Sequence, residues 1–424
     1  MSSSPPPELL QQVRLLDPET QTDQSADVLI AAGRSVAIAP QITDFPEATV
    51  VTPGQGLVLA PGLVDLHAHS GEPGQEHRET LADLSAAALA GGFSRVGLLP
   101  TTMPPLDTLA ALEQVQRAWP ATGPRLCCWA AVTQGAAGEQ LAELGDLVAE
   151  STGFSDGRPL GNLNLVRRLL EYAQLWGRPI ALVAGDRSLQ GQGVARDGGP
   201  AVQAGLPGVP ASAETAALAA LLELAAATTT PVHFLRLSTA RSVELVAAAK
   251  ARGLPVTAST TWLHLLRDTT ALADYDPYLR LEPPLGNPED RAALRAGVQQ
   301  GIIEAIATDH RAYTYEETMV AFADAPPGAL GLPLVLALLW QELVATGEWS
   351  ALELWRALSS GPLRCWRQSP HRCAVGEPAE LVLFDPQAPW VVNSESLPTP
   401  SRNTSWFGAT LQGRVQRLWL PAWD

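Results

Sequence analysis

Between Leu57 and about Pro362, short apolar segments alternate with segments rich in alanine and leucine, and this pattern restricts the fold most. One example is ETLADLSAAALAGG, which has the composition and length of a helix, followed by SRVGLLP, which is typical of a buried strand. Repeated units of this kind favour a parallel sheet, and roughly eight of them favour a closed barrel. The sequence therefore predicts an α/β protein built on a (β/α)8 barrel of the TIM type.

Both ends of the chain have a different character. Residues 26–40 predict two short strands around a glycine-containing turn, and Glu380–Asp385 and Leu411–Leu420 are again strand-like. We expect these terminal strands to pair with one another in a small β-sandwich domain. The predicted division is 1–56 for its N-terminal part, 57–372 for the barrel and 373–424 for its C-terminal part.

Composition narrows the class of protein and its partners. Apolar residues make up 46% of the chain and charged residues 17%, so a large buried core is available. The formal charge of −16 argues against nucleic acid or an anionic membrane as a partner. The four cysteines show no C-x-x-C spacing, and the N-terminus lacks the pattern of a secretion signal. We expect a cytoplasmic globular protein without a membrane span.

The segment LVDLHAH, residues 63–69, ends the first predicted barrel strand. His67 and His69 are two residues apart, so on an extended chain their side chains leave the same face. Two neutral imidazoles that converge in this way suit a divalent metal ion. The alternative is a hydrogen-bonded strand end without a metal.

A second candidate lies in IIEAIATDH, residues 302–310, where an apolar strand ends at Asp309. Catalytic residues of such barrels lie at the carboxyl ends of the strands. A carboxylate there can ligate a metal and accept a proton from its bound water. The alternative is that Asp309 caps the next helix.

With these residues the chain resembles the dihydroorotase family of the amidohydrolase superfamily. The resemblance runs from the first β segment to the last. It is carried by PGLVDLHAH, EPGQEHRET, GGFSRVGLLPTTMP, FSDGRP, GLPGVPASAE, EPPLGNPEDRAAL, IATDH and NTSWFGATLQG. It implies a barrel with a β-sandwich, two zinc ions, and the reversible cyclisation of carbamoyl aspartate to dihydroorotate.

The resemblance also implies a ligand set, of which this sequence keeps a part. His67, His69 and Asp309 match the family, and Asp156 in FSDGRP falls where a bridging aspartate belongs. A carbamylated lysine as the bridge is improbable, because the chain's one lysine, Lys250, lies in a helical segment elsewhere.

Two further histidines of the family are replaced. Val183 stands in the segment that corresponds to H-x-E-D, and Arg236 stands in the segment that corresponds to H-V-S-T. An arginine is always cationic and accepts no hydrogen bond, so Arg236 repels a second metal and can pair with Asp156 or Asp309. We therefore expect at most one zinc ion per chain, with none as the alternative. His233 and His264 are interpreted as structural.

The positions that hold the substrate carboxylate in the family are changed as well. Gly71, Pro104 and Tyr313 stand where the resemblance implies an arginine, an asparagine and a histidine. Loss of these contacts makes turnover of dihydroorotate improbable.

These observations favour a degenerate dihydroorotase-like pseudoenzyme of pyrimidine biosynthesis. By resemblance we expect it to serve as a structural partner of aspartate carbamoyltransferase and to form a homo-oligomer. One alternative is an active cyclic amidohydrolase with a single zinc ion on His67, His69, Asp156 and Asp309, and with Asp309 as the catalytic residue. Another is a true dihydroorotase with rearranged ligands.

Overall fold

The computed structural model describes residues 6–423. It contains eight strands in one parallel sheet, seven in a sheet formed by both termini, and two in a small separate sheet. The strands are β1 Glu8–Asp17, β2 Thr22–Ala31, β3 Arg34–Ala39, β4 Val50–Pro53, β5 Val58–Pro61, β6 Leu63–Ala68, β7 Phe93–Leu98, β8 Arg125–Ala130, β9 Gly153–Phe154, β10 Ile180–Val183, β11 Ala195–Arg196, β12 Gly208–Val209, β13 Val232–Leu235, β14 Val256–Thr261, β15 Ala305–Ala307, β16 Leu381–Val391 and β17 Thr410–Trp419.

Helices follow most of the strands of the parallel sheet. The α-helices are α1 Leu81–Ala90, α2 Leu109–Ala118, α3 Leu144–Leu147, α4 Leu163–Ala173, α5 Arg187–Gln190, α6 Gly199–Gln203, α7 Ser212–Ala226, α8 Ala240–Ala251, α9 Trp262–Leu266, α10 Pro288–Gln299, α11 Tyr315–Thr318, α12 Val335–Leu339, α13 Ala351–Trp355 and α14 Gly361–Cys365. Short 3₁₀ helices span Gln134–Ala136, Thr269–Asp274, Pro277–Leu279 and Phe322–Asp324, and π-helical turns span Trp340–Val344 and Arg356–Ser360.

The parallel sheet has the order β15-β14-β13-β10-β9-β8-β7-β6 and curls into a barrel. Hydrogen bonds close the barrel between the segments of its first and last strands. The Thr308 amide donates to Asp65 at 2.7 Å, and the His69 amide donates to the His310 carbonyl at 2.9 Å. A buried cluster fills the interior of the barrel. It consists of Val64, Leu66, Leu99, Cys127, Trp129, Ala181, Leu235, Ala305 and Ala307, closed by Leu363, Cys365 and Trp366 around α14.

The sheet of the termini has the order β17-β16-β5-β1-β2-β3, with β4 also paired to β1. β2 and β3 pair antiparallel around the turn at Ala32 and Gly33, as the sequence predicts, and β16 pairs antiparallel with β17. The predicted fold class, a TIM-type barrel with a small β-sandwich domain from both termini, is confirmed. The boundaries at 56/57 and 372/373 stay predictions. Within residues 6–423, no helix combines the length and the apolar character needed to cross a bilayer.

Candidate active site

Three of the four predicted metal ligands meet at the carboxyl end of the barrel. His67 and His69 lie at the end of β6, and Asp309 lies two residues beyond β15. The Nδ1 atom of His67 is 3.0 Å from Oδ1 of Asp309, and Nε2 of His69 is 3.4 Å from the same oxygen. Because β6 and β15 are the first and last strands of the barrel, its closure brings these residues together.

Asp156 follows β9 but does not join the other three. Its Oδ1 accepts hydrogen bonds from the main-chain amides of Val132 at 2.9 Å and Thr133 at 3.0 Å, and its Oδ2 accepts the Thr133 hydroxyl hydrogen bond. Burial raises the pKa of Asp156, and these hydrogen bonds act in the opposite direction. The expected bridging ligand is thus bound to the loop after β8, so the structure does not place it between His67 and Asp309.

Arg236 follows β13 and occupies the mouth of the barrel. Its Nη1 is 3.4 Å from Oδ1 of Asp309, and its Nη2 donates a hydrogen bond to the carbonyl of Gly157. Of the two carboxylates that the sequence offered as partners, Arg236 therefore pairs with Asp309. Both Arg236 and Asp309 have left-handed backbones, with φ of 57° and 46°. This conformation is unfavourable for residues other than glycine and is concentrated at functional sites.

A second arginine at the mouth was missed from the sequence. The Nη2 of Arg311 lies 2.9 Å from Nδ1 and 2.7 Å from Nε2 of His69. The other terminal nitrogen, Nη1, is 3.3 Å from both the Tyr313 hydroxyl and the Pro327 carbonyl. The sequence feature that could have identified Arg311 is its position two residues after Asp309, the aspartate at the end of the strand. Alternation along an extended chain could not give its direction, because Asp309 has a left-handed backbone.

Burial and these two cations set the protonation states of His69 and Asp309. Burial, and after it the charge of Arg311, lower the pKa of His69 to about 3, so His69 is neutral at physiological pH. Burial raises the pKa of Asp309, but Arg236 and the two histidines outweigh this effect and hold it well below its ordinary range. Asp309 is therefore a carboxylate at neutral pH and a weak base.

The donor set does not fit the two-metal centre that the resemblance implies. Across residues 6–423, no group of three or more histidine, cysteine, aspartate or glutamate side chains is arranged to hold a metal ion. Arg311 contacts both ring nitrogens of His69, and Arg236 contacts the carboxylate of Asp309. A divalent metal ion at this point would meet two fixed positive charges. In addition, Val183, which lines the cavity, stands where the resemblance implies another histidine ligand.

The three positions where the family's contacts to the substrate carboxylate are replaced have different environments. A Cβ atom on Gly71 would lie 2.5 Å from the carbonyl oxygen of Gln75 and 2.6 Å from that of Glu79, so a side chain there requires the surrounding loop to shift. Tyr313 is buried and lines the cavity, with its hydroxyl donating to Pro327 at 2.9 Å. Pro104 lies outside the residues that line the cavity, and its carbonyl accepts a hydrogen bond from Thr102 at 2.8 Å.

The two histidines interpreted as structural are both buried and hydrogen-bonded away from the mouth. His233 lies inside the barrel between Thr257, at 2.8 Å, and Ser259, at 3.0 Å. His264 contacts the Thr261 hydroxyl at 2.7 Å and the carbonyl of Pro283 at 3.2 Å. Burial lowers the pKa of His233 to about 3 and that of His264 to about 4, so both are neutral packing groups.

A cavity of about 360 Å³ opens at the mouth, next to His69, Arg236, Asp309 and Arg311. This volume is typical of a site for a small molecule. Six arginines and four carboxylates line the cavity, so its formal charge is positive although the chain as a whole is acidic. The arginines are Arg78, Arg158, Arg187, Arg196, Arg236 and Arg311.

Comparisons of sequence identify the family of the chain. Residues 56–242 match the family model described as dihydro-orotase-like. A protein of Synechocystis sp. named "Probable dihydroorotase-like protein" is 43% identical, over 95% of this chain and 97% of its own length. A protein of Pelobacter propionicus named "Dihydroorotase" is 36% identical, over 96% of each chain.

Solved structures share the fold at lower identity. The L-hydantoinase (dihydropyrimidinase) of Arthrobacter aurescens has a TM-score of 0.85 at 19% identity and covers 98% of this chain and 97% of its own. The dihydropyrimidinase of Brevibacillus agri has a TM-score of 0.79 at 20% identity and covers 96% and 92%. At these identities the likeness supports the barrel and its terminal sheet, and nothing finer.

Proposed function

Because this chain belongs to the dihydroorotase-like family, we propose that it is a catalytically degenerate member with a structural role in pyrimidine biosynthesis. The single observation that carries the proposal is the contact of Arg311 with both ring nitrogens of His69. A neutral imidazole offers a metal one lone pair, and Arg311 lies within hydrogen-bond distance of either nitrogen that could carry it, so a metal ion would have to displace the guanidinium. Arg236 places a second fixed positive charge 3.4 Å from the Asp309 carboxylate.

Loss of catalysis follows from the chemistry of the retained groups. Hydrolysis of a cyclic amide at neutral pH needs an activated water and a base that accepts its proton. Asp309, the expected base, is bound to His67 and Arg236, and its pKa is held well below its ordinary range. Because His67 and Arg236 already hold this carboxylate, Asp309 is not free to accept a proton from an attacking water.

An active amidohydrolase with a single metal is the weaker alternative. It would use Asp156 together with His67, His69 and Asp309. The hydrogen bonds from Val132 and Thr133 already satisfy the Asp156 carboxylate. Freeing it would leave buried main-chain amides without acceptors, which is costly.

As the partner we propose aspartate carbamoyltransferase, in a cytoplasmic assembly that contains more than one copy of this chain. Support for this part comes only from the family resemblance. A non-catalytic member of the family can persist if its surface stabilises an enzyme of the same pathway.

Turnover in both directions tests the loss of catalysis. Purified protein is incubated with dihydroorotate or carbamoyl aspartate, with added zinc and with chelator. We expect background rates in all four conditions. A rate that depends on zinc and disappears in His67→Asn would contradict the proposal, whereas a rate that persists in that variant comes from a host enzyme.

Sedimentation velocity tests the partnership. The chain is mixed with the aspartate carbamoyltransferase encoded in the same genome, and each protein is also run alone at the same concentrations. We expect a faster boundary that contains both proteins. If each sediments as it does alone, and the transferase keeps its stability and activity without the chain, the structural role is wrong.

A further inference from the structure

An exposed apolar surface lies on the outer wall of the barrel, at the end of α4. Leu175 is 73% exposed and Tyr172 is 45% exposed. The Leu175 amide donates to the Tyr172 carbonyl in a turn that continues the helix, and the Trp176 ring lies against the Tyr172 ring with 4.7 Å between their centroids. Single exposed apolar residues are ordinary, but adjoining ones are typical of sites of protein–protein interaction.

A cleft of about 390 Å³ continues this surface beyond Trp176. Apolar residues, two arginines and a glutamine line it, and none of the described residues around it carries a carboxylate. The lining residues are Val148, Trp176, Gly177, Arg178, Pro179, Trp366, Arg367 and Gln368. Aromatic residues and arginine are enriched at the centres of protein–protein interfaces, where they supply much of the binding energy.

We propose that these residues, together with Arg168, Tyr172 and Leu175, form a docking surface for an acidic face of a partner protein. In the complex, an apolar side chain of the partner packs on Leu175 and Trp176, and carboxylates around it pair with the arginines. The inference rests on the proposed function, because a non-catalytic member with a structural role needs such a surface. It concerns the outside of the barrel, not the cavity at the mouth.

The charge of the docking surface is opposite to that of the chain as a whole. Arg168, Arg178 and Arg367 have no carboxylate within ion-pair distance anywhere in residues 6–423. Arg168 lies four residues before Tyr172 on α4 and therefore on the same face of the helix. In a chain with a formal charge of −16, such a surface attracts carboxylates of another protein.

One of these arginines is held in place before a partner binds. The Nη2 atom of Arg178 donates a hydrogen bond at 3.3 Å to the carbonyl of Val148, which also lines the cleft. A side chain that is already ordered loses less conformational entropy on binding. Arg178 is thus suited to receive a carboxylate at the edge of the cleft.

The same charges select the occupant. In a two-fold dimer through this surface the same residues would face each other, so arginines of one copy would approach arginines of the other, which is unfavourable. A nucleic acid would meet the overall charge of −16. A small anion would leave Tyr172 and Leu175 exposed, whereas an acidic protein face with an apolar centre covers them.

Titration with the aspartate carbamoyltransferase of the same genome, followed by sedimentation velocity, tests the docking surface. Leu175→Ser removes an apolar side chain that is exposed in the free chain, and Arg178→Glu reverses one charge of the cleft. We expect each variant to weaken the complex at least about tenfold, as is typical for a residue at the centre of an interface. Added sodium chloride should weaken the complex of the parent as well.

Val202→Ser and Arg414→Glu are the matched controls. Val202 is 79% exposed on α6, and Arg414 is an exposed arginine on β17 that lies outside the docking surface. Both controls should bind the transferase like the parent. Melting temperatures of Leu175→Ser and the controls should equal that of the parent, so that a loss of binding is not a loss of folding.

Three results would overturn the inference. If Leu175→Ser and Arg178→Glu bind like the parent, the partner docks elsewhere although the structural role stands. If the controls weaken the complex equally, the effect is not specific to this surface. If Leu175→Ser alone sediments more slowly than the parent alone, the surface joins copies of this chain. No complex with the parent would instead remove the proposed function, and this inference with it.

Discussion

Buried charges lie at both ends of the barrel, but they are paired differently. Where the strands begin, the Nε and Nη2 atoms of Arg95 lie 3.0 and 3.1 Å from the two carboxylate oxygens of Glu380, and its Nη1 donates a hydrogen bond to Gln368 at 2.7 Å. Lys250 forms an ion pair with Glu304 at the same end. Where the strands finish, Arg236 shares Asp309 with two histidines, and Arg311 contacts His69.

This difference separates a stabilising end from a functional one. Arg95 lies on β7 and Glu380 immediately precedes β16, so their bidentate pair joins the barrel to the sheet of the termini. The mouth has an excess of cations and two left-handed residues that are not glycine. Left-handed residues also occur elsewhere, as at Arg367, so the excess of cations, which is costly when buried, is the feature that distinguishes the mouth.

Glu380→Ala should have the largest effect on stability. Its removal leaves Arg95 buried without a carboxylate and Ser94 without the acceptor at 2.7 Å. We expect the free energy of unfolding to fall by about 3–5 kcal/mol, measured by urea denaturation. An unchanged midpoint would mean that this end of the barrel does not stabilise the fold.

The same carboxylate gives a dependence on pH. Burial raises the pKa of Glu380, but His371, at 2.9 Å, and Arg95 outweigh burial and lower it to about 2. Since the folded pKa is the lower one, the stabilisation is complete above the ordinary glutamate pKa of about 4.5 and is lost as the pH falls towards 2. Melting temperatures of the parent should fall more steeply across this interval than those of Glu380→Gln. Parallel curves would show that Glu380 titrates normally.

Arg236→Met should be less harmful than Glu380→Ala, because Asp309 retains His67 and some exposure to solvent. The variant leaves the carbonyl of Gly157 and one side of Asp309 without a donor. We expect a loss of about 2–3 kcal/mol in chelator, with no recovery on adding zinc. Recovery with zinc would indicate that Arg236 alone prevents metal binding.

Gly71→Ala should have a smaller effect. The added Cβ would lie 2.5 Å from the Gln75 carbonyl oxygen, so the loop before α1 must shift. We expect a loss of about 1–2 kcal/mol in urea denaturation, with unaltered far-ultraviolet circular dichroism. The matched variant is Gly161→Ala, where a Cβ would meet nothing within 4 Å and the stability should not fall.

The fold was predictable because its signals are local and repeated. The alternation of strands and helices and the β-rich ends indicate the barrel and the terminal sheet, and the motif order indicates the family. His67 and Asp309 were predicted to meet because each ends a strand of the same barrel, and they lie 3.0 Å apart.

The direction of individual side chains at the mouth was less predictable. Asp156 is held by amides of Val132 and Thr133, which lie more than twenty residues away on the preceding barrel loop. Arg311 reaches His69, 242 residues away in the chain, after the left-handed turn at Asp309. No pattern of spacing gives such contacts, since they depend on closure of the barrel and on loop geometry.

Metal stoichiometry tests the central claim that arginines have displaced the two-metal centre. The protein is purified in chelator, equilibrated with excess zinc and desalted. Its zinc content per chain is then measured by elemental mass spectrometry. The account predicts no more than one zinc ion per chain, because Arg236 and Arg311 hold positive charge at the predicted ligands. Two tightly bound zinc ions per chain would contradict it.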